Sequence, residues 1–477
     1  MLNDPNSPAK TEGSAEQAFE WPLAYDAERL LSHHINVFLQ QHAFAWQLAM
    51  RMQLETGTDF YEWVDHVTLD SAHRAALESA GLVEDRQTSG PEGVVVMHHP
   101  KAMMPRVLLQ AGGSHDDLPL NLALKPELLR DFLACHAPDT VVEGEPGARL
   151  RRALIAQEGD CRLFAVERLG YRGFCIEEPS AGFGSALREV QMLFRLRQRE
   201  FADDAKGVRH ANAVADQALE LVPRAVACEL FFAEERRFWE MRNHAARVQR
   251  IRQDRLGLGW GNHDHHTFRC SRRLFPDLVQ FMEKLGLHKR ERFYAGAQAG
   301  WGAQVMESNE TGIVVFADVD LLPEEVAGDY AKQRLPETGR LGTVGLWCAL
   351  HGDSFLQAGM HHLEARFDFD RLRDQLAGEG VATMKPFSDF PFLRQAFTEG
   401  ERWPVNPERV ARLRERNLIT PEQAETFLRN GALGSHLENL QRKGGYKGFN
   451  QQAVSHIIAA TDPRLVGAAR STSSSNH

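Results

Sequence analysis

A short pattern occurs three times in this chain, and each copy joins an acidic or imidazole side chain to a histidine at the start of a predicted strand. The copies read DHVTL from Asp65, DHHTFR from Asp264 and HHLEAR from His361, and the helices after them end alike, in ESAGL, MEKLGL and AGEGV. Repetition of a small strand–helix–strand–strand unit is typical of a duplicated half-barrel. The pattern predicts an α+β fold whose repeated strand–helix–strand modules form a curved sheet or half-barrel cup. Chance similarity of short strands is the alternative.

The length of 477 residues predicts about two or three domains. Between residues 181 and 255 glycine and β-branched residues become rare, and this composition predicts long helices. We therefore predict a disordered tail (1–17), an N-terminal α+β domain (18–180), a helical connector (181–255), a second α+β domain (256–466) and a second disordered tail (467–477). The connector is a plain spacer, a cover for a pocket or the interface of a homodimer.

Charge and cysteine usage exclude several classes of protein. Lysine and arginine total 55 against 65 acidic residues, and this net charge of -10 argues against a nucleic-acid or anionic-membrane binder. The six cysteines include no CxxC pair, which indicates neither a disulfide framework nor a zinc ribbon. The first 17 residues contain no apolar segment typical of a signal peptide, and no run of 18 apolar residues occurs. We expect a cytoplasmic protein that does not bind membranes.

Strand periodicity sorts the polar side chains of the second and third copies onto faces. Because side chains alternate along a strand, one face of the second copy and one face of the third each carry a histidine with an arginine four residues later. Two arginines cannot lie unpaired in a dry core, so these faces are expected to line a solvated cup. Imidazoles from two related strands in such a cup predict a metal site. The residues on these faces are His263, His265, Thr267 and Arg269, and His362, Glu364, Arg366 and Asp368.

A carboxylate is the natural third ligand, and a late strand supplies one. His436, Glu438 and Arg442 share one face of that strand. Two histidines and one carboxylate form the facial triad of non-haem Fe(II) enzymes, while zinc hydrolases use the same ligand types. Residues 256–466 are thus the predicted metal-binding catalytic domain. His266, Glu364 and His436 remain alternative ligands, and a purely structural role for each histidine remains open.

At these residues the chain resembles the 2-oxoadipate dioxygenase/decarboxylase family, a branch of the vicinal oxygen chelate superfamily. The family's H-x-x-x-R, H-L-x-x-R and E-x-x-x-R segments match His265 with Arg269, His362 with Arg366, and Glu438 with Arg442, in the same order. An acidic–apolar–acidic run, Asp368-Phe369-Asp370, follows the second segment as in the family. The resemblance covers about residues 256–465. It departs from the family at Glu364, where threonine is usual, and in a shorter connection between the two histidine strands.

The resemblance implies that His265, His362 and Glu438 bind Fe(II) and that Arg269 holds a substrate carboxylate. The implied activity is a non-haem Fe(II)-dependent dioxygenase/decarboxylase that uses O₂ and a small 2-oxo mono- or dicarboxylic acid. Arg366 and Arg442 are candidates for binding a distal substrate carboxylate, with salt bridges to Glu364 or Asp368 as the alternative. A metal-dependent isomerase, lyase or hydrolase on the same fold is a rival function, and so is a non-catalytic binding protein.

The first copy lacks part of the pattern. His66 keeps the histidine position, but Asp70 stands where the other copies have arginine. We predict that residues 60–180 repeat the fold of the C-terminal half without its metal site. His66 is then functional, structural or vestigial.

Overall fold

The computed structural model describes residues 21–111, 118–450 and 462–464. The predicted tails, 1–17 and 467–477, lie outside the described residues. No helix in the described part of the chain is long and apolar enough to cross a membrane.

The N-terminal half is built on one eight-stranded sheet with the order β2-β3-β4-β1-β5-β8-β7-β6. Helices α1 and α2 precede it, and α3 and α4 connect strands within it. These elements are α1 (Tyr25–Gln41), α2 (Ala43–Arg51), β1 (Val64–Asp70), α3 (Arg74–Ser79), β2 (Val83–Glu84), β3 (Val94–His98), β4 (Arg106–Gln110), β5 (Asn121–Leu124), α4 (Leu129–His136), β6 (Val142–Glu143), β7 (Leu150–Glu158) and β8 (Cys161–Arg168).

Four helices connect this sheet to the next one. They are α5 (Phe183–Leu196), α6 (Asp204–Leu221), α7 (Arg224–Glu240) and α8 (His244–Asp254). Asp203 and Asn243 accept backbone N–H groups at the starts of α6 and α8, which satisfies donors that a helix start leaves free. Helix α7 is buried around much of its circumference and packs in the same hydrophobic core as β9 of the second sheet, residues His263–Arg269. The connector therefore forms part of the core beneath the C-terminal sheet.

The C-terminal half is built on a nine-stranded sheet whose main path is β10-β11-β12-β9-β13-β17-β15-β14, with β16 paired to β17. Its elements are β9, α9 (Phe275–Lys284), β10 (His288–Tyr294), β11 (Trp301–Glu307), β12 (Val314–Asp320), α10 (Thr343–His351), β13 (His362–Arg366), α11 (Phe369–Gly378), β14 (Ser388–Phe390), β15 (Leu393–Phe397), β16 (Glu401–Trp403), α12 (Pro407–Glu415), α13 (Pro421–Asn430) and β17 (Ala432–Arg442).

The two sheets share one topology. In the first, β1 pairs in parallel with β4 and antiparallel with β5, which pairs in parallel with β8. In the second, β9 pairs in the same ways with β12 and β13, and β13 pairs in parallel with β17. Each half therefore consists of two strand–helix–three-strand modules, and β16, α12 and α13 are inserted in the last module. The predicted fold class, α+β with repeated strand–helix–strand modules in curled half-barrel sheets and with added helices, is confirmed.

Candidate metal centre

Three neighbouring strands bring the predicted site residues into one row. Glu364 on β13 lies opposite His265 of β9 on one side and opposite Glu438 of β17 on the other. His362 stands two residues before Glu364 on the same face, because side chains alternate along a strand. The central strand β13 thus gives the cup two of its polar side chains, and each flanking strand gives one.

Three side chains converge on one carboxylate oxygen of Glu364, and Glu438 lies beside them. Glu364 Oε1 lies 2.9 Å from His265 Nε2, 2.7 Å from His362 Nε2 and 3.0 Å from the Thr267 hydroxyl, which donates to it. His362 Nε2 lies 3.6 Å from Glu438 Oε2. Ligand atoms of His362, Glu364 and Glu438 all lie within 4.8 Å of one another. None of these five side chains belongs to a residue more than 6 % exposed.

The imidazoles of His265 and His362 both point Nε2 into the cluster, because a neighbouring side chain contacts Nδ1 on the other side of each ring. His265 Nδ1 donates to Asp264 Oδ1 at 2.7 Å, and His362 Nδ1 lies 2.5 Å from His361 Nδ1. In each case the holding residue directly precedes the histidine in sequence. A metal-binding histidine usually has its second nitrogen held in this way, since the contact fixes the ring and its tautomer.

The electrostatics of the cluster suit a cation. Burial raises the pKa of Glu438 well above the ordinary carboxyl value, and the nearby Glu364 raises it further, while Gln395 donates to Glu438 Oε1 at 2.8 Å. Burial acts the same way on Glu364, but His265 and His362 outweigh it and lower the pKa of that carboxyl. Burial lowers the pKa of His265, but Glu364 and Asp264 together outweigh burial, so the pKa of His265 is raised.

Two buried carboxylates and two imidazoles therefore compete for protons at close range. Glu364 Oε2 is buried and has no hydrogen-bond partner among the described residues. A divalent cation would use that oxygen and compensate both carboxylates, and the nitrogen and oxygen donors suit Fe(II), Zn(II) or Mn(II). The residues fit a metal ion.

Metal binding is expected to release protons and to weaken as the pH falls. Glu438 and His265 have raised pKa values, so each stays protonated to a higher pH than usual and must lose that proton to bind a cation. Affinity should be full above the raised pKa values of both groups and should fall about tenfold per pH unit for each proton displaced as the pH drops below them. Calorimetric titration with Mn(II) in two buffers of different ionisation enthalpy measures this release. Equal apparent enthalpies in both buffers would contradict it.

Two of the three predicted ligands, His362 and Glu438, lie with Glu364 in the group whose ligand atoms are within 4.8 Å of one another. His265 is outside that group and reaches it through its contact with Glu364. The other two alternatives lie outside the cluster. His266 points to the opposite side of β9, where Arg236 of α7 donates to its Nε2 at 3.2 Å. His436 is held by the Thr398 carbonyl at 2.9 Å through Nδ1, and its Nε2 has no partner among the described residues.

Arg269 is buried on the same face of β9 as His265, with its guanidinium underused. Its Nε and Nη1 atoms have no hydrogen-bond partner in the described part of the chain, although the carboxylate of Asp318, the residue opposite Arg269 on β12, acts on its charge. Its backbone N–H donates to Ser354 Oγ at 2.8 Å, and its guanidinium carbon lies 5.7 Å from the centre of the Trp347 ring on α10. Burial lowers the pKa of Arg269. A buried guanidinium with free donors is suited to binding an anionic ligand.

The other two predicted substrate-binding arginines have protein partners instead. Arg366 Nη1 lies 3.2 Å from a carboxylate oxygen of Glu62, and Arg366 also donates to the Glu62 carbonyl. Arg442 donates to both carboxylate oxygens of Asp264, at 3.1 and 3.0 Å. Neither uses Glu364 or Asp368, the salt-bridge partners considered from the sequence. Their guanidinium groups are engaged within the protein, whereas Arg269 keeps two nitrogen atoms without a hydrogen-bond partner among the described residues.

The N-terminal sheet repeats the histidine without its companions. His66 Nδ1 donates to Asp65 at 2.7 Å, as His265 does to Asp264. The cross-strand partners in the positions of His362, Glu364 and Glu438 are Asn121, Ala123 and Phe164. Because none of these three side chains is a usual metal ligand, the first cup does not repeat the donor set.

A second repeat accompanies the first, and our sequence analysis missed it. The segments YRGF (171–174) and YKGF (446–449) follow Arg168 and Arg442, the last residues of β8 and β17. In both, a Cβ on the glycine would meet the tyrosine ring, at 2.2 Å for Gly173 and 2.6 Å for Gly448. The two loops therefore share a packing arrangement. Aligning the two loops would have shown that Arg442 and Arg168 occupy equivalent positions. It would thereby have related Arg442 to the repeated aspartate–histidine pair.

Replacing Gly448 by alanine is expected to destabilise the protein by about 1–3 kcal/mol, because the Tyr446 ring must move to admit the new methyl group. The free energy of unfolding from urea denaturation measures the effect. Gly339→Ala is the control, since a Cβ there meets no atom within 4 Å. Equal stability of the two variants would show that the close contact is not needed.

No family model and no curated protein matches the chain. Among solved structures, a mutant of 4-hydroxymandelate synthase from Streptomyces coelicolor is 13% identical, with 83% of this chain and 98% of that chain covered and a TM-score of 0.27. Methylmalonyl-CoA epimerase from Mycobacterium tuberculosis is 11% identical, with coverages of 38% and 88% and a TM-score of 0.22. Glyoxalase I from Zea mays is 12% identical, with coverages of 22% and 43% and a TM-score of 0.17. These TM-scores are too low to support an argument about the fold. The fold class therefore rests on the strand order of the two sheets.

Proposed function

We propose that the chain is a metal-dependent enzyme, and specifically a non-haem Fe(II) dioxygenase/decarboxylase that acts on a small 2-oxo carboxylic acid with O₂. The observation that supports this proposal is the buried cluster of two imidazole nitrogens and two carboxylates, with Arg269 on the same strand face keeping Nε and Nη1 without a hydrogen-bond partner among the described residues. His265, His362 and Glu438 would hold the metal, and Glu364 is a fourth candidate ligand.

Iron bound here would supply Lewis acidity toward the keto and carboxylate oxygens of the substrate and the one-electron chemistry that side chains cannot provide. The chain's own residues bind and orient. Arg269 offers a planar fork of donors that matches a carboxylate in two parallel hydrogen bonds. The Thr267 hydroxyl fixes Glu364, and Gln395 fixes Glu438, so the carboxylates keep their positions as a substrate enters.

Aromatic side chains limit the access of water to the site. The Phe316 ring lies 4.5 Å from the ring of His265, centre to centre, and the Phe397 ring lies 4.9 Å from that of His362. Excluding water strengthens the interaction between Arg269 and a bound carboxylate, since the local dielectric is low. The cup therefore favours a small anionic substrate.

A metal-dependent isomerase, lyase or hydrolase is the second candidate, and Glu364 is the observation that favours it. A second carboxylate in the cluster can act as a general base toward a substrate C–H bond or a water molecule, or it can fill a coordination position that an oxygenase must leave open. Proton transfer of this kind needs a divalent Lewis acid but no O₂.

Metal content and oxygen uptake separate the two candidates. The full chain is purified without oxygen, its metals are determined, and O₂ consumption is screened with 2-oxo mono- and dicarboxylic acids. Iron with substrate-dependent O₂ uptake supports the dioxygenase. Activity with zinc, nickel or manganese under anaerobic conditions, without O₂ uptake in the iron form, would replace it by the second candidate.

A further inference from the structure

Arg442 ends β17 with nearly all of its hydrogen-bonding capacity used. Its Nε and Nη2 atoms donate to the two oxygens of Asp264, and Nη1 donates to the carbonyls of Tyr446 and Gly448 at 3.2 and 2.6 Å. The two carbonyls belong to the YKGF loop, which begins four residues later in the sequence. The YKGF loop therefore holds one side of the guanidinium, and the other side contacts Asp264 on β9.

Asp264, held by Arg442, in turn holds the candidate metal ligand His265. Its Oδ1 accepts from both Arg442 Nη2 and His265 Nδ1, at 3.0 and 2.7 Å, while the residue is 5 % exposed. A buried ion pair is costly unless hydrogen bonds satisfy both groups, and here they do. With the aspartate on Nδ1, the imidazole carries its proton there and presents the Nε2 lone pair to the cluster.

The N-terminal half contains the same chain of contacts without the metal donors. Arg168 donates to both oxygens of Asp65 at 2.7 and 2.8 Å, and its Nη1 donates to the carbonyls of Tyr171 and Gly173. Asp65 in turn accepts from His66 Nδ1 at 2.7 Å. These contacts can therefore contribute to folding in both halves. They can affect a bound metal only in the C-terminal half, which has the metal donors.

We propose that Arg442 and Asp264 are positioning residues of the metal centre. Arg442 fixes Asp264, and Asp264 fixes the ring plane and tautomer of His265 so that Nε2 is preorganised for the metal. This inference rests on the proposed metal-binding function. It replaces the role in substrate binding that the sequence suggested for Arg442, and it gives the repeated loop after β17 a function in the site.

Asp264→Asn is expected to weaken metal affinity about 10- to 100-fold, the usual effect of losing an outer partner of a histidine ligand. Asparagine keeps the size and one acceptor but loses the charge. Arg442→Met should weaken affinity through the same path, so the double variant should bind about as weakly as Asp264→Asn alone. Arg442→Lys keeps a positive charge beside the buried carboxylate and serves if the methionine variant does not fold.

The experiment measures Co(II) binding to the full-length variants by competition with a chelator, together with the visible absorption spectrum of the bound ion, which reports ligand geometry. Asp65→Asn and Arg168→Met are the matched controls, and near-UV circular dichroism checks the fold. We expect weakened binding and a changed spectrum for the Asp264 and Arg442 variants, with both readouts unchanged for the controls.

Unaltered Co(II) affinity and spectrum in folded Asp264→Asn, or equal weakening in Asp65→Asn, would overturn the inference while leaving metal binding intact. Additive losses in the double variant would also overturn it, because the two residues would then act separately. If the unmodified chain binds no Co(II), the proposed function itself fails, and the inference fails with it.

Discussion

His362→Ala is expected to abolish stoichiometric metal binding and the activity that depends on it. His362 Nε2 is the atom of the cluster that lies close to both carboxylates, 2.7 Å from Glu364 and 3.6 Å from Glu438. Removing it takes away a ligand and leaves two buried carboxylates without the imidazole that separates them. The loss of affinity should exceed the roughly 10- to 100-fold that losing an outer partner costs. Metal content per chain and the Co(II) dissociation constant measure it.

His436→Ala is the matched control for this variant. His436 is also buried and lies directly opposite His362 on β17, but its Nδ1 is held by a backbone carbonyl and it is outside the cluster. It should therefore lose stability without losing the metal. If His436→Ala loses the metal and His362→Ala keeps it, the ligand assignment is wrong at these two positions.

Arg269→Lys is expected to raise KM about 10- to 100-fold while the metal content stays at the level of the unmodified chain. Lysine keeps the charge but loses the planar fork, and a hydrogen bond to a charged group is worth about 1.5–3 kcal/mol. Because Nε and Nη1 of Arg269 have no partner among the described residues, their loss should affect the bound carboxylate and leave the protein's own hydrogen bonds intact. Steady-state kinetics on the 2-oxo acid found in the oxygen-uptake screen, with metal analysis of the same sample, measures both quantities.

Arg366→Lys tests whether the change is specific to Arg269. Arg366 lies at the equivalent position four residues after its histidine, but the structure pairs it with Glu62. Its substitution should leave KM unchanged. An unchanged KM in Arg269→Lys, or loss of metal together with activity, would show that Arg269 has a structural role and does not bind the substrate.

The repeated module was predictable because each copy carries a recognisable short sequence pattern. Strand β9 and strand β13 each begin with a histidine pattern and lead into a helix, and period-two alternation correctly separated His265 from His266. The N-terminal copy carries the same pattern in weaker form. What the repeat could not show is that the modules pair into two sheets of the same strand order, since that depends on which strand edges meet.

The site was predictable in its residue types and incompletely in its geometry. The faces of β9, β13 and β17 indicated His265, His362 and Glu438, but not that Glu364 lies at the point where they meet. That position follows from the pairing of β13 between β9 and β17, which places Glu364 opposite His265 and Glu438 at once. Spacing along one strand carries no information about the register of its neighbours.

The sequence by itself determined which side chains share a strand face, because alternation is a property of the extended backbone and needs no partner. Only the tertiary structure decided how the charges pair. Arg366 meets Glu62 from the N-terminal half, and Arg442 meets Asp264 across 178 residues of chain. Such pairs form when burial of the apolar strand faces brings distant segments together, and the buried charges must then find partners in the space that remains. The three arginines were distinguished in this way, since Nε and Nη1 of Arg269 have no hydrogen-bond partner among the described residues and the carboxylate opposite it, Asp318, forms no ion pair with it there.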